Sequence, residues 1–220
     1  MGAAPSGPSA RPAPDHAAAR VEFDALRATM LGCKRCAALT RSRSRVVPGD
    51  GAVPATVCFV GLAPGRLGGD RTGIPFSGDR SGELLRRMIR QAGLTDVFIT
   101  NLVRCNPRDA AGRNRDPDRV EIANCHGHLA AELRLVRPRI VACLGRIAWR
   151  ELAGPTTPFT PRQPRLIRAD GFDLYPLYHP AYVNRGACAP RTYTTHFRRL
   201  ARLIRTDMGG SSAKERLYPL

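Results

Sequence analysis

An α/β fold of three layers (α/β/α), with helices on both faces of a central, mostly parallel four-stranded sheet, is predicted by two features of this chain. Four short apolar runs start near residues 55, 97, 139 and 172, the first of them β-branched, and each gives way downstream to a segment with helical apolar spacing. In sheets of that class, ligands sit beyond the carboxyl ends of the strands. Gly61 to Phe76, Asn101 and His179 all fall at such ends, so three separated pieces of sequence are expected to converge.

Residues 1–18 are mostly Ala, Pro, Gly and Ser, too poor in large apolar side chains to offset ordering entropy, and read as a disordered arm. Residues 208–220 read as a flexible tail and 19–207 as a single domain, since no second set of periodic segments follows. Ala19 to Leu31 spaces Val21, Leu26 and Met30 for an amphipathic helix that runs into Gly32-Cys33-Lys34-Arg35-Cys36. Ala55 to Val60 is the first strand, bounded by Pro54 and Gly61, and a glycine-dense loop continues to Asp79.

From Ser81 to Ala92, Leu84, Leu85, Met88, Ile89 and Ala92 share a helix face, with Ser81 as N-cap and Gly93 as stop. Val97 to Val103 is the second strand. A loop rich in Arg and Asp leads to a helix that Asp116-Pro117 opens and that runs to about Val136. Arg139 to Gly145 is the third strand and Arg146 to Leu152 a helix. After a proline-rich loop, Phe172 to Tyr178 is the fourth strand, ending at His179-Pro180. The last helix, Thr192 to Thr206, carries Tyr193, Phe197, Leu200, Leu203 and Ile204 on one side and Arg198, Arg199, Arg202 and Arg205 on the other.

The 220 residues hold 35 Lys and Arg against 18 Asp and Glu, a formal net charge of +17. That excess, nearly all arginine, implies an anionic partner. Guanidinium forks match phosphate geometry, and no run of 18 apolar residues offers a membrane span, so nucleic acid ranks ahead of a membrane surface. Seven cysteines, an odd number, with no charged-then-apolar leader, indicate reducing cytoplasm rather than a disulfide framework. Cys58 and Cys143 lie in strand-like runs and read as core residues; Cys188 has no assigned role.

The other cysteines form a set: Cys33-x-x-Cys36, Cys105 after a strand, and Cys125 on the following helix. Two close thiols and two distant ones could share zinc or an iron–sulfur cluster and tie the N-terminal helix to the core. Spacing does not choose between these, and His126 or His128 could replace one ligand at zinc. At the strand ends, Asn101 offers a donor and an acceptor to a planar heterocycle, and His179 can donate to an oxygen on which charge develops.

The segment Gly61-Leu62-Ala63-Pro64-Gly65, followed by Arg71-Thr72-Gly73-Ile74-Pro75-Phe76-Ser77-Gly78-Asp79-Arg80-Ser81-Gly82, resembles the first motif of the uracil-DNA glycosylase superfamily in its type 5 form. Asn101-Leu102-Val103-Arg104-Cys105-Asn106-Pro107, with the later Cys125, resembles the second motif of the iron–sulfur types 4 and 5. Tyr178-His179-Pro180 resembles the third. The resemblance runs from about Cys33 to Ile204.

It implies a 4Fe–4S cluster on Cys33, Cys36, Cys105 and Cys125, with zinc as the alternative. Gly61, Ala63 and Gly65 would line a base pocket, Phe76 would stack on the flipped base, Asn101 would read its polar edge, and His179 would donate toward the uracil O2. Leu62 stands where type 4 enzymes carry an acid, so a catalytic carboxylate is expected from Asp70, with Asp79 second. Gly65 and His179-Pro180-Ala181-Tyr182 lean toward type 4, and residues 184–191 match neither form. Tyr182, Val183 and Arg185 are candidates to fill the stack vacated in DNA.

The expected activity is hydrolytic removal of uracil, and of other deaminated bases as candidates, from single- or double-stranded DNA by a monomeric enzyme. No lysine lies in the motifs to form a Schiff base, so lyase chemistry is not expected. The competing readings are a type 4 enzyme with a modified motif and a non-catalytic, metal-stabilised nucleic-acid-binding module.

Overall fold

The computed structural model of the chain describes residues 16–169 and 171–206; the expected arm up to residue 15 and the expected tail from 208 lie outside the described residues. The first helix, α1 (His16–Leu31), begins three residues inside the segment expected to be an arm. It is followed by α2 (Ala37–Ser42), β1 (Asp50–Gly51), β2 (Val57–Gly61), α3 (Gly69–Thr72), α4 (Arg80–Gln91) and β3 (Val97–Asn101). Then come α5 (Arg119–Val136), β4 (Ile140–Leu144), α6 (Arg146–Ala153), β5 (Ile167–Arg168), β6 (Asp173–Leu177), α7 (Pro180–Val183) and α8 (Pro190–Thr206).

The sheet order is β1-β3-β2-β4-β6-β5. The four central strands are parallel and coincide with the four apolar runs. Two edge strands of two residues each, β1 on β3 and β5 on β6, pair antiparallel and make the sheet six-stranded rather than four-stranded. Segments that short carry no periodicity, which is why the sequence does not announce them.

The strands alternate between two cores, as a period of two requires. Cys58, Val60, Phe98, Val141, Cys143 and Leu174 face α1, α5 and α6, where Phe23, Leu129 and Trp149 pack. Val57, Phe59, Ile99, Ala142, Tyr175 and Leu177 face α4 and α8, against Leu85, Met88, Tyr193 and Phe197. Cys58 and Cys143 are core residues, as expected, and Cys188 also packs in the α4/α8 layer.

From β2 the chain crosses to β3 through α4 on one face, then returns past β2 to β4 through α5 on the other. That reversal opens a crevice at the carboxyl end of β2. Two helix starts differ from expectation. Asp118, not Asp116-Pro117, caps α5, in a capping box with Glu121. Asp79, not Ser81, caps α4 through a hydrogen bond from the Gly82 N–H to Oδ1 at 2.8 Å.

Candidate active site

A cavity of about 730 Å³ occupies that crevice, lined from all four parallel strands: Leu62 to Gly65 after β2, Asn101 at the end of β3, Leu144 to Arg146 after β4, and Tyr178 and His179 after β6. Gly61 and Asn101 are register partners across β2 and β3. The Asn101 side chain is 1% exposed, yet neither its Oδ1 nor its Nδ2 has a hydrogen-bond partner among the described residues. A buried amide with both polar atoms unsatisfied costs stability unless a ligand completes it.

Phe76 closes one side of the cavity. A Cβ on Gly61 would stand 2.5 Å from both Asn101 Oδ1 and Phe76 Cζ, so only glycine lets the amide and the ring approach each other there. Phe76 adopts a left-handed backbone (φ 49°), which a side chain tolerates at a cost of about 1 kcal/mol. Arg86 fastens it, donating from Nε to the Phe76 carbonyl (2.8 Å) and from Nη2 to the Pro75 carbonyl (2.9 Å). The Phe76 and His179 rings lie with centroids 5.6 Å apart, tilted by 43°.

His179 caps the short α7. Its Nδ1 accepts a hydrogen bond from the Ala181 N–H (3.1 Å), which leaves Nε2 to carry the proton in the neutral ring. Burial pushes its pKa down to about 4, against the opposing pull of Asp79 and with help from Arg185. At neutral pH the ring is therefore an uncharged donor.

The two candidate carboxylates part company. Asp70 is wholly buried and does not line the cavity. Its oxygens accept from the Ser44 N–H (2.9 Å), the Arg45 N–H (3.4 Å) and Arg108 Nη2 (2.5 Å). Those bonds anchor the loop from beneath and turn the acid away from the chemistry expected of it. Asp79 lines the cavity. Only its Oδ1 is engaged by the α4 cap, and a Cβ on Gly68 would lie 2.2 Å from Oδ2, so glycine makes the room that Oδ2 occupies.

After His179, Tyr182 is 57% exposed at the cavity rim, with the Arg185 guanidinium 4.6 Å from its ring centroid. Val183 is corrected: it is 7% exposed and packs with the α4/α8 core, so it cannot serve in a DNA-facing wedge. Successive residues of a helical turn point about 100° apart, and α7 sends Tyr182 outward and Val183 inward. Of the three small residues expected at the pocket, Ala63 and Gly65 line the cavity, whereas Gly61 does not.

Arg104 is a residue that sequence reasoning left without a role. It is 1% exposed, forms a buried ion pair with Glu132, and donates to the carbonyls of Asn101 (2.6 Å) and Leu102 (3.0 Å). Glu132 also accepts from Thr100 Oγ1 (2.6 Å) and the Gly49 N–H (2.8 Å). The backbone bearing Asn101 is thus held from below by a fully buried cation. The one signal was an arginine inside an otherwise apolar strand exit.

Cys33 and Cys36 follow α1, Cys125 lies on α5, which packs against α1, and Cys105 stands in the connection before α5; none is in a disulfide. Cys105 Sγ accepts from Arg43 Nη1 (3.0 Å), Cys36 Sγ from Asn124 Nδ2 (3.4 Å) and Cys125 Sγ from the Arg104 N–H (3.4 Å). Burial pushes the Cys105 thiol up to about 11 even with Arg43 pulling it down, so binding a metal there would release protons. Among the described residues no three His, Cys, Asp or Glu side chains stand in metal-binding geometry. Four thiols, three of which accept hydrogen bonds, are nonetheless the donor type of a thiolate-bound centre. His126 is exposed; His128 is buried, with Nε2 unpartnered among the described residues.

Residues 48–202 match the family model of the uracil DNA glycosylase superfamily. The chain is 34% identical over 207 residues to a type-5 uracil-DNA glycosylase of Pyrobaculum aerophilum, covering 78% of this chain and 89% of that protein. It is 40% identical over 121 residues to a type-4 uracil-DNA glycosylase of Archaeoglobus fulgidus (54% and 57%), and 34% identical over 163 residues to a type-5 uracil-DNA glycosylase of Mycobacterium leprae (64% and 69%). With the matched residues spanning the sheet, the glycine loop and the His179 segment, the chain belongs to the uracil-DNA glycosylase superfamily.

Proposed function

We propose that the protein excises uracil from DNA by hydrolysis of the N-glycosidic bond and leaves an abasic site. The observation that carries this is the buried Asn101 amide, unsatisfied at both polar atoms, in a cavity shared with Phe76 and a neutral His179. An amide presents one acceptor and one donor, matching the N3–H and O4 of uracil. Phe76 supplies a face for the extruded base, and the exposed Tyr182, with Arg185 over its ring, would fill the gap left in the stack.

As the C1′–N1 bond breaks, its electrons move onto the base and negative charge grows on O2. The Nε2–H of His179 donates to that oxygen without giving up its proton. Positive charge grows on the sugar, and the Asp79 carboxylate stabilises it and orients the water whose oxygen adds to C1′. The water's second proton passes to Asp79 and on to solvent, and the departing uracil anion is protonated by solvent. Asp70 takes no part; it holds the loop.

Cys33, Cys36, Cys105 and Cys125 would hold the 4Fe–4S cluster, with zinc the alternative. Bound there, the group would cross-link the segment after α1 to the β3–α5 connection and to α5 itself, and would take no step of the reaction.

The test is free-uracil release, with formation of abasic sites, from a uracil-containing duplex incubated with excess protein. Release with matching abasic sites is expected; neither product would leave only the DNA-binding reading. Because the cavity exceeds a pyrimidine in size, hypoxanthine and xanthine belong in the same panel. Iron with acid-labile sulfide in a brown preparation is expected, and zinc in a colourless one would replace the cluster.

A further inference from the structure

Along α8, Arg191, Arg198, Arg202 and Arg205 recur at i, i+7, i+11 and i+14, which at 3.6 residues per turn is one line along the helix. All four are exposed, on the side opposite Tyr193, Phe197, Leu200 and Ile204, which pack into the core. No residue from 174 to 206 is acidic, and among the described residues no carboxylate is paired with these guanidiniums. Like charges three and four residues apart destabilise a helix. Arg198 with Arg202, and Arg202 with Arg205, stand at those spacings with no carboxylate partner among the described residues.

The line has a direction. At its start Tyr193 Oη donates to the Tyr178 carbonyl (2.9 Å), beside the cavity. At its end Arg139, which precedes β4 at the opposite edge of the sheet, donates to the Ile204 carbonyl (3.1 Å). From Arg191 to Arg205 it covers roughly 21 Å at 1.5 Å per residue, the length of several phosphates along a duplex strand. The adjoining α4, joined to it through Thr194 and Met88, adds exposed Arg87.

We propose that this arginine line is a second nucleic-acid surface, which grips the phosphate backbone of DNA outside the segment held at the cavity. Guanidinium forks on a rigid helix suit phosphate oxygens, and contacts of this kind are independent of base sequence. The inference rests on DNA as the partner but not on which base the cavity takes.

The test combines Arg191→Gln, Arg198→Gln, Arg202→Gln and Arg205→Gln in the full chain. Affinity for a long uracil-free duplex is measured across a salt series, beside a control that removes four exposed arginines elsewhere (Arg134, Arg150, Arg162 and Arg165, each to Gln). The line variant should lose at least tenfold in affinity at low salt, and the slope of log K against log salt should flatten by about 3. The control should flatten clearly less. Single-turnover uracil release from a short oligonucleotide that fills only the cavity should stay within twofold of the parent. Equal slopes for the two variants, or a line variant that loses binding only to anionic lipid vesicles, would overturn the proposal. A parent that releases no uracil while the line variant alone flattens the slope would remove the excision reading and keep this one.

Discussion

Beneath the glycine loop and at its mouth, the protein treats polar groups in opposite ways. Below, Asp70 has Ser44, Arg45 and Arg108, and Glu132 has Arg104, Thr100 and Gly49: each buried carboxylate is fully engaged. At the mouth, the Asn101 amide is unpartnered among the described residues, His179 directs its free N–H away from its own cap, and Asp79 lines the cavity with only Oδ1 committed to its cap. Satisfied groups stabilise a fold, whereas unsatisfied ones await a ligand, so substitutions in the two regions should separate stability from rate.

The largest expected effect lies below. Glu132→Ala leaves the Arg104 cation buried without its partner and should cost roughly 3–5 kcal/mol in denaturant unfolding. A loss under 1 kcal/mol would mean that the pair does not hold the Asn101 strand. At the mouth, His179→Ala should lower the single-turnover rate about 10²–10³-fold, as loss of one donor to a developing oxyanion does. DNA affinity should change little, because that bond strengthens only as the base leaves. An undiminished rate would take His179 out of the mechanism.

A smaller effect follows from the His179 pKa of about 4. The ring stays a neutral donor down to that region, so the rate should show no inflection between pH 6 and 7. A drop centred near the ordinary histidine value, about 6.5, would show that the ring is not desolvated. The same shift ties stability to pH: the unfolded chain takes up the proton first. The contribution is therefore complete above about pH 6.5 and is lost as pH falls toward 4.

Much of this frame was legible from residue pattern. The four parallel strands are short, largely apolar runs, and the long helices have clear periodicity, so the convergence of Gly61, Asn101 and His179 followed from topology. What stayed hidden depended on contacts far apart in the chain. Nothing near Asp70 reveals that Arg108, thirty-eight residues on, claims its carboxylate. Val183 looked available beside Tyr182 because a four-residue helix leaves no period by which to tell its inner from its outer side. Asp79 did carry a signal, since an Asp just before an apolar-periodic segment is a strong N-cap, and the cap is what brings it to the cavity.

The decisive measurement sets Asp79→Asn beside Asp70→Asn in single-turnover uracil release, with unfolding measured on each. Asparagine caps a helix as well as aspartate, so Asp79→Asn should fold with near-parental stability and react about 10²-fold more slowly. Asp70→Asn should lose roughly 3 kcal/mol of stability and, where folded, keep its rate within a few-fold. The reverse pattern, a slow but stable Asp70→Asn and an unimpaired Asp79→Asn, would contradict the division between fastening and reacting ends of the loop.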